Sequence, residues 1–231
     1  MIVSIAQPSY WPWLGYFDRI LKSDLHIVLD HVQFEKSWYI NRNRIRCGHH
    51  WQWITIPVKT KGLFGNAPIH QLKSDQRQNW QLKHFRTLQH HYQRTAFWHH
   101  FEPILSELYQ QNWEDVRSIC LATSKIVSEA INLKTPLLSS LELAPTEKKG
   151  ELVLELCKKT GATHYLSGPF GKDYLPLHAF AEAEIQILWH DFKAPPALVP
   201  KNPHIPPLTA LDALLEVGPD ELAHNLCANP R

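Results

Sequence analysis

Asp30 closes the apolar run Leu25–Leu29 and opens DHVQFEKSWYINRNRIR, the chain's densest mixture of acid, imidazole, amide, guanidinium and aromatic groups. A carboxylate so placed is a candidate proton-transfer group. Arg42 offers the planar fork that suits a phosphate or carboxylate, and Asn41 and Asn43 offer amides that orient hydroxyl or amide groups. The same alternation of Asn and Arg also describes a solvated edge strand whose charges deter pairing with other chains. Gln33 and Trp38, in the same stretch, are further contacts for a bound molecule, as is Ser167 much later in the chain.

A second cluster lies within Ile2 to Arg19. It holds five aromatics in eight residues, Tyr10, Trp11, Trp13, Tyr16 and Phe17, interrupted by Pro12 and Gly15. Proline in the middle excludes a regular helix. The cluster therefore reads as a loop at the lip of a pocket, with Tyr10, Trp13 and Tyr16 as a platform for a ring face and Gln7 as a hydrogen-bonding amide. An aromatic plug sealing the edge of the core is the alternative. His84 shares a helix face with Trp80, Leu88 and Tyr92, where a histidine is either a general base or a satisfied core group.

Other chemistry is sparse. Ser139, Ser140 and Ser167 have no evident base beside them. The four cysteines stand far apart with no CxxC pair and read as reduced thiols. Adjacent residues, as in His49-His50, His90-His91 and His99-His100, diverge by about 100° on a helix, and no HExxH motif occurs, so a zinc site is rejected and no cofactor is named. Lys59 and Lys61, in a glycine-bearing loop running to Pro68, are candidates to close over an anion.

These groups need elements to position them. Ile2–Ala6 is a β-prone run stopped by Gln7-Pro8, residues 15–23 repeat apolar positions at helix spacing, and Leu25–Leu29 suits a buried parallel strand. Strand, loop, helix, strand brings Gln7 and Asp30 to one edge of a parallel pair, the edge where open α/β sheets hold ligands. Residues 51–58 alternate as a hairpin partner for the Asn/Arg stretch. Residues 76–131 and 147–159 are helical, while Leu137-Leu138, Ala162–Leu166 and Ile185–Trp189 are short strands. The fold class is α/β, with a mixed or mainly parallel sheet, helices on both faces and the 76–131 segment partly covering the site, in a single domain over residues 1–231. Residues 193–207 hold six prolines and form a loop. A short terminal helix over residues 209–215 follows, with the last dozen residues loosely held.

The 231 residues carry 24 Lys and Arg against 22 Asp and Glu, a net charge of +2, which argues against nucleic acid as a partner. No signal-like apolar start and no window of about eighteen uncharged apolar residues is present, so the expectation is a cytoplasmic protein without an integral membrane span, its oligomeric state open.

Three motif blocks, Gln7-Pro8-x-Tyr10-x-Pro12-Trp13-x-Gly15-Tyr16-Phe17, Leu29-Asp30-x-Val32-Gln33-Phe34 and Trp38-x-x-Asn41-Arg42-Asn43, resemble the WbqC-like family. Trp53-x-x-Ile56-Pro57-Val58, Tyr165-Leu166-Ser167-Gly168, Tyr174-Leu175 and Leu211-Asp212-Ala213-Leu214 extend the resemblance over nearly the whole chain. It implies a place in bacterial surface-polysaccharide synthesis, including lipopolysaccharide O-antigen; the reading favoured with it is an enzyme of transferase type that modifies or transfers a group to an activated sugar, with a nucleotide-sugar or amino-bearing small molecule as substrate. Ala194–Pro200 departs from the aromatic and polar character of relatives, which weakens any ligand contact from that segment. The opening also looks like nucleotidyl-transfer folds of the HIGH type. Their two histidines are missing at Pro12–Tyr16, which counts against adenylylation. Two rival readings are a non-catalytic nucleotide- or sugar-binding module and, against the near-neutral charge, a single-stranded nucleic-acid binder working through residues 38–46.

Overall fold

The computed structural model describes residues 1–36, 38–59 and 67–228. Its centre is β1 (Ile2–Ala6), buried on both faces, with Val3 and Ile5 on one and Ser4 on the other. Pro8 lacks the backbone donor a longer strand would need, and the chain turns through the aromatic loop into α1 (Leu14–Leu21) and returns as β2 (Leu25–Val28). β2 pairs parallel to β1 from Val3↔Leu25 to Ala6↔Val28. Among the described residues the main sheet has five strands, all parallel, in the order β5-β2-β1-β6-β7, with β5 at Leu137–Ser139, β6 at His164–Ser167 and β7 at Gln186–Trp189. The expected mixture of directions is thus divided between two sheets. The antiparallel part is a separate hairpin, β3 (Arg42–Cys47) and β4 (His50–Thr55).

The strand order has a functional consequence. From β1 the chain first builds outward through β2 to β5, then crosses back to build β6 and β7 on the other side. The direction of growth reverses between β1 and β6, and the carboxyl ends of strands at such a reversal are where open α/β sheets hold their ligands.

Helices cover both faces. Phe17 and Ile20 of α1 join Val116, Ile119 and Val127 of α4 (Val116–Ala130) and Leu211, Leu214 and Leu215 of α7 (Ala210–Cys227) in one core. Val3, Ile5 and Ile27 face the other way, onto Leu152, Leu156 and Phe180 of α5 (Lys149–Lys159) and α6 (Leu177–Glu182). The expected 76–131 segment comprises α2 (Trp80–Tyr92), α3 (Trp98–Gln110) and α4, and Trp80, His84, Leu88 and Tyr92 form the buried stripe of α2.

The C-terminus departs from expectation. Instead of a short helix and a loose tail, α7 continues across a break at Gly218 to Cys227, with Leu222 and Leu226 buried. Gly218 has φ 84°, and a Cβ there would lie 2.3 Å from the Phe97 ring. Gly218→Ala is therefore expected to cost about 2–4 kcal/mol in denaturant unfolding, from left-handed strain plus overpacking.

Candidate functional site

Asp30 leaves β2 beside the end of β5, where Val28 pairs with Ser139. Its carboxylate is fully buried and held by three donors. Ser139 Oγ lies 2.9 and 2.7 Å from the two oxygens, Ser140 Oγ donates at 2.9 Å, and Arg117 Nε, from α4, donates at 2.5 Å. Burial alone would raise the carboxyl pKa, but the hydroxyls and the guanidinium outweigh it and hold Asp30 below the usual carboxylate range. Asp30 is an ionised anchor whose two oxygens are both engaged, so the group at this edge with a proton-accepting atom to spare is its neighbour.

That neighbour is His31. Ser140 has one proton and gives it to Asp30, so its oxygen accepts the Asp30 backbone N–H at 3.1 Å and faces His31 Nδ1 at 2.7 Å as an acceptor. His31 therefore carries its proton on Nδ1, and its Nε2 lone pair is left as a base. Burial lowers the imidazole pKa, Asp30 opposes that, and His70 adds to the lowering, which keeps the ring neutral. His70 comes from a 3₁₀ turn, Ile69–Gln71, pinned to the same place: its backbone N–H and its Nδ1 lie 2.9 and 3.2 Å from the Asp30 carbonyl oxygen. Helical segment 76–131 reaches this edge through Arg117, 28 % of whose side chain is exposed. No group of three His, Cys, Asp or Glu among the described residues is arranged to hold a metal ion.

The reversal point lies two strands along. β1 pairs with β6 through Ser4↔Leu166, and that register continued to the strand ends sets Gln7 opposite the Gly168-Pro169 step. The Gln7 amide is half-buried and makes no hydrogen bond to a described residue. Trp38 and Phe170, 48 % and 67 % exposed, meet edge to face at 6.4 Å, so loops following β2 and β6 present two rings at the mouth. Ser167 is buried and donates to the Gly168 carbonyl at 3.0 Å, while the Gln33 side chain is exposed beyond His31.

The aromatic loop and the Asn/Arg stretch do fold against each other. Tyr10 N–H donates to the Ile40 carbonyl at 3.0 Å, Ser9 Oγ to that of Tyr39 at 2.8 Å, and Asn43 Nδ2 to that of Trp11 at 2.6 Å. Their amides are engaged in this contact: Asn41 likewise donates to the Ile56 carbonyl at 2.8 Å. Tyr10 is enclosed, hydrogen-bonded to Tyr109 and, at 2.9 Å, to His84 Nδ1. His84 is buried among Trp80, Tyr10 and Tyr109, and burial pushes its pKa down to about 4. Tyr16 is also enclosed, edge-on to His26 under the sheet, its phenol raised to about 12 by burial. Tyr10 and Tyr16 are therefore enclosed rather than a platform lining a cleft, the two amides are engaged with backbone carbonyls, and His84 is a buried core group. Trp13 is partly exposed, but folds onto Phe192 at the edge of a mostly apolar hollow of about 300 Å³ shared with the proline-rich segment. Arg42 stacks 4.2 Å over Trp53 on the hairpin's outward side. Lys59 is exposed, and Lys61 lies outside the described residues.

The model of the WbqC-like protein family matches residues 7–224. The chain belongs to that family. It is 32% identical over 193 residues to an uncharacterized protein of Mycobacterium tuberculosis, with 82% of each chain covered. No solved structure matches it. In this WbqC-like chain the residues that sequence reasoning passed over are His31, His70, Arg117 and Arg19. Only His31 carried a local signal, by standing next to Asp30 at a strand end.

Proposed function

We propose that this WbqC-like protein is an enzyme that transfers a group to an activated sugar, an amino sugar in the fullest form of the reading, during cytoplasmic steps of bacterial surface-polysaccharide or O-antigen synthesis. The observation that carries it is the Asp30–Ser140–His31 relay, a neutral imidazole fixed at the carboxyl edge of a parallel sheet with Nε2 unprotonated. In the transfer, a sugar hydroxyl or amine attacks the donor carbon. The new bond forms as the proton of the attacking heteroatom passes to His31 Nε2, and the leaving group departs with the electron pair of the broken bond. Arg117, whose Nη atoms make no hydrogen bond to described residues, is placed to face negative charge on the donor. Gln7, Gln33 and Trp38 are the sequence-chosen residues that remain open to such a substrate.

The test is incubation of the purified protein with nucleotide sugars and candidate donors, read by mass spectrometry for a modified sugar. A product that disappears with His31→Asn supports the reading, and a product made equally by wild type and variant overturns it. A binding module is the second reading, favoured by one observation: both serines at the site are engaged with Asp30, so no hydroxyl nucleophile is left there. Saturable binding of a nucleotide sugar without any product would favour it.

A further inference from the structure

We infer that Arg19 is the anchor of a second subsite, an oxyanion site at the reversal point between β1 and β6 that holds a phosphoryl group. The inference deepens the activated-sugar reading and rests on it only for the name of the substrate. Arg19 lies on α1, which starts at the carboxyl edge of the sheet; side chains on a helix lean toward its N-terminus, so the guanidinium is carried back toward that edge. It reaches Gly168, the first residue beyond β6: a Cβ added there would lie 2.8 Å from Arg19 Nη1.

Among the described residues the guanidinium has no hydrogen-bond or ion-pair partner. Arg19 Nε is buried without a hydrogen bond, and no carboxylate among the described residues pairs with the group. Arg46 and Arg117 are matched to carboxylates, Asp212 and Asp30, whereas Arg44 is held by the Tyr39 hydroxyl and by aromatic rings. His26 is fully buried with Nε2 unpartnered among the described residues, and it is depressed to about 3 by burial and by the Arg19 charge. The same charge is felt by the phenols of Tyr165 and of half-exposed Tyr174. A guanidinium at a strand end with no carboxylate to pair with among the described residues suits an anion with several acceptor oxygens. At the mouth, the free Gln7 amide and the exposed Trp38–Phe170 ring pair suit the neighbouring parts of a nucleoside diphosphate. A free phosphate and a nucleotide share this chemistry, so the experiment separates them.

Calorimetric titration of the full chain with inorganic pyrophosphate and with uridine diphosphate is the test. Both probes should bind, and Arg19→Ala should weaken both by about tenfold or more, the loss expected of a charge-assisted pair. Arg19→Lys should lose less, and Arg44→Ala, which removes a guanidinium stacked among Trp51, Trp53 and Tyr39 on the outer hairpin face, should lose nothing. Gly168→Ala serves if Arg19→Ala fails to fold, since its methyl displaces Nη1; it too should weaken binding. Tighter binding of uridine diphosphate than of pyrophosphate, with the difference removed by Trp38→Ala, assigns the site to a nucleotide; equal affinity assigns it to a free phosphoryl group. Absence of binding by the wild type, or equal weakening by Arg19→Ala and Arg44→Ala, overturns the site. His31→Asn should bind pyrophosphate normally, so loss of turnover there with anion binding intact tests the transfer reading alone.

Discussion

His31→Asn is expected to lower turnover by about 10²- to 10⁴-fold while changing stability by less than about 1 kcal/mol. The asparagine amide can replace Nδ1–H as the donor to Ser140, but places no titratable lone pair where Nε2 stood. A variant folded like the wild type and unable to turn over would separate catalysis from scaffold; full turnover would place the base elsewhere. The pH profile is a second readout. With the imidazole held below its ordinary value of 6.5 by burial, the base stays unprotonated into mildly acidic solution, so the acidic limb of activity falls below pH 6.5. The linked stability has the same sign. As pH falls below 6.5 the unfolded chain takes up the proton first, so the contribution of this group is complete above 6.5 and declines toward the folded value. Ser140→Ala should give a smaller loss, because it frees the tautomer of His31 without removing the ring.

How far the sequence could reveal this arrangement depended on whether the signal was local. Short apolar runs ending in polar residues are local, and β1, β2, β5, β6 and β7 were all legible from them, as was the placing of Gln7 and Asp30 just beyond the carboxyl ends of neighbouring parallel strands. Asp30 was legible as a strand-end carboxylate. Its partners were not, since Arg117 comes from a helix 87 residues away and Ser140 from a strand end 110 residues away. Those serines looked partnerless only because the partner was distant. Asn41 and Asn43 misled for another reason: an amide that satisfies a buried carbonyl and one that faces a ligand have the same spacing in a strand. The aromatic loop is the sharpest case. Proline breaks were read as a pocket lip, but Trp11 adopts φ 46°, which turns its ring inward, where Nε1 donates to Tyr109 at 2.8 Å and the backbone N–H to Thr123 at 3.1 Å. A positive φ at tryptophan leaves no trace in composition.

Asp30→Ala is expected to cost about 3 kcal/mol or more in urea unfolding, the largest single loss at the site. Removing the carboxylate leaves two hydroxyls and a guanidinium facing a buried void, and breaking a buried pair costs about 3–5 kcal/mol. Part of the Arg117 side chain, 28 %, reaches solvent and recovers hydration, which sets the lower end of that range. Asp30→Asn is the sharper probe, because it keeps the shape. Both oxygens now accept, from Ser139 and Ser140 on one and from Ser139 and Arg117 on the other. An amide supplies one acceptor and one donor, so its NH₂ must face either Arg117 Nε–H or the serine hydroxyls, donor against donor. The charge lost also matters with pH: the folded carboxyl lies below the ordinary carboxylate value, so wild-type Asp30 contributes fully above that value and loses its contribution as pH falls through the folded one. Stability of Asp30→Asn should therefore converge on the wild type in strong acid and diverge from it toward neutrality. Curves that stay parallel across that range would mean that the carboxylate is not the charge holding Arg117 and the His31 relay in place.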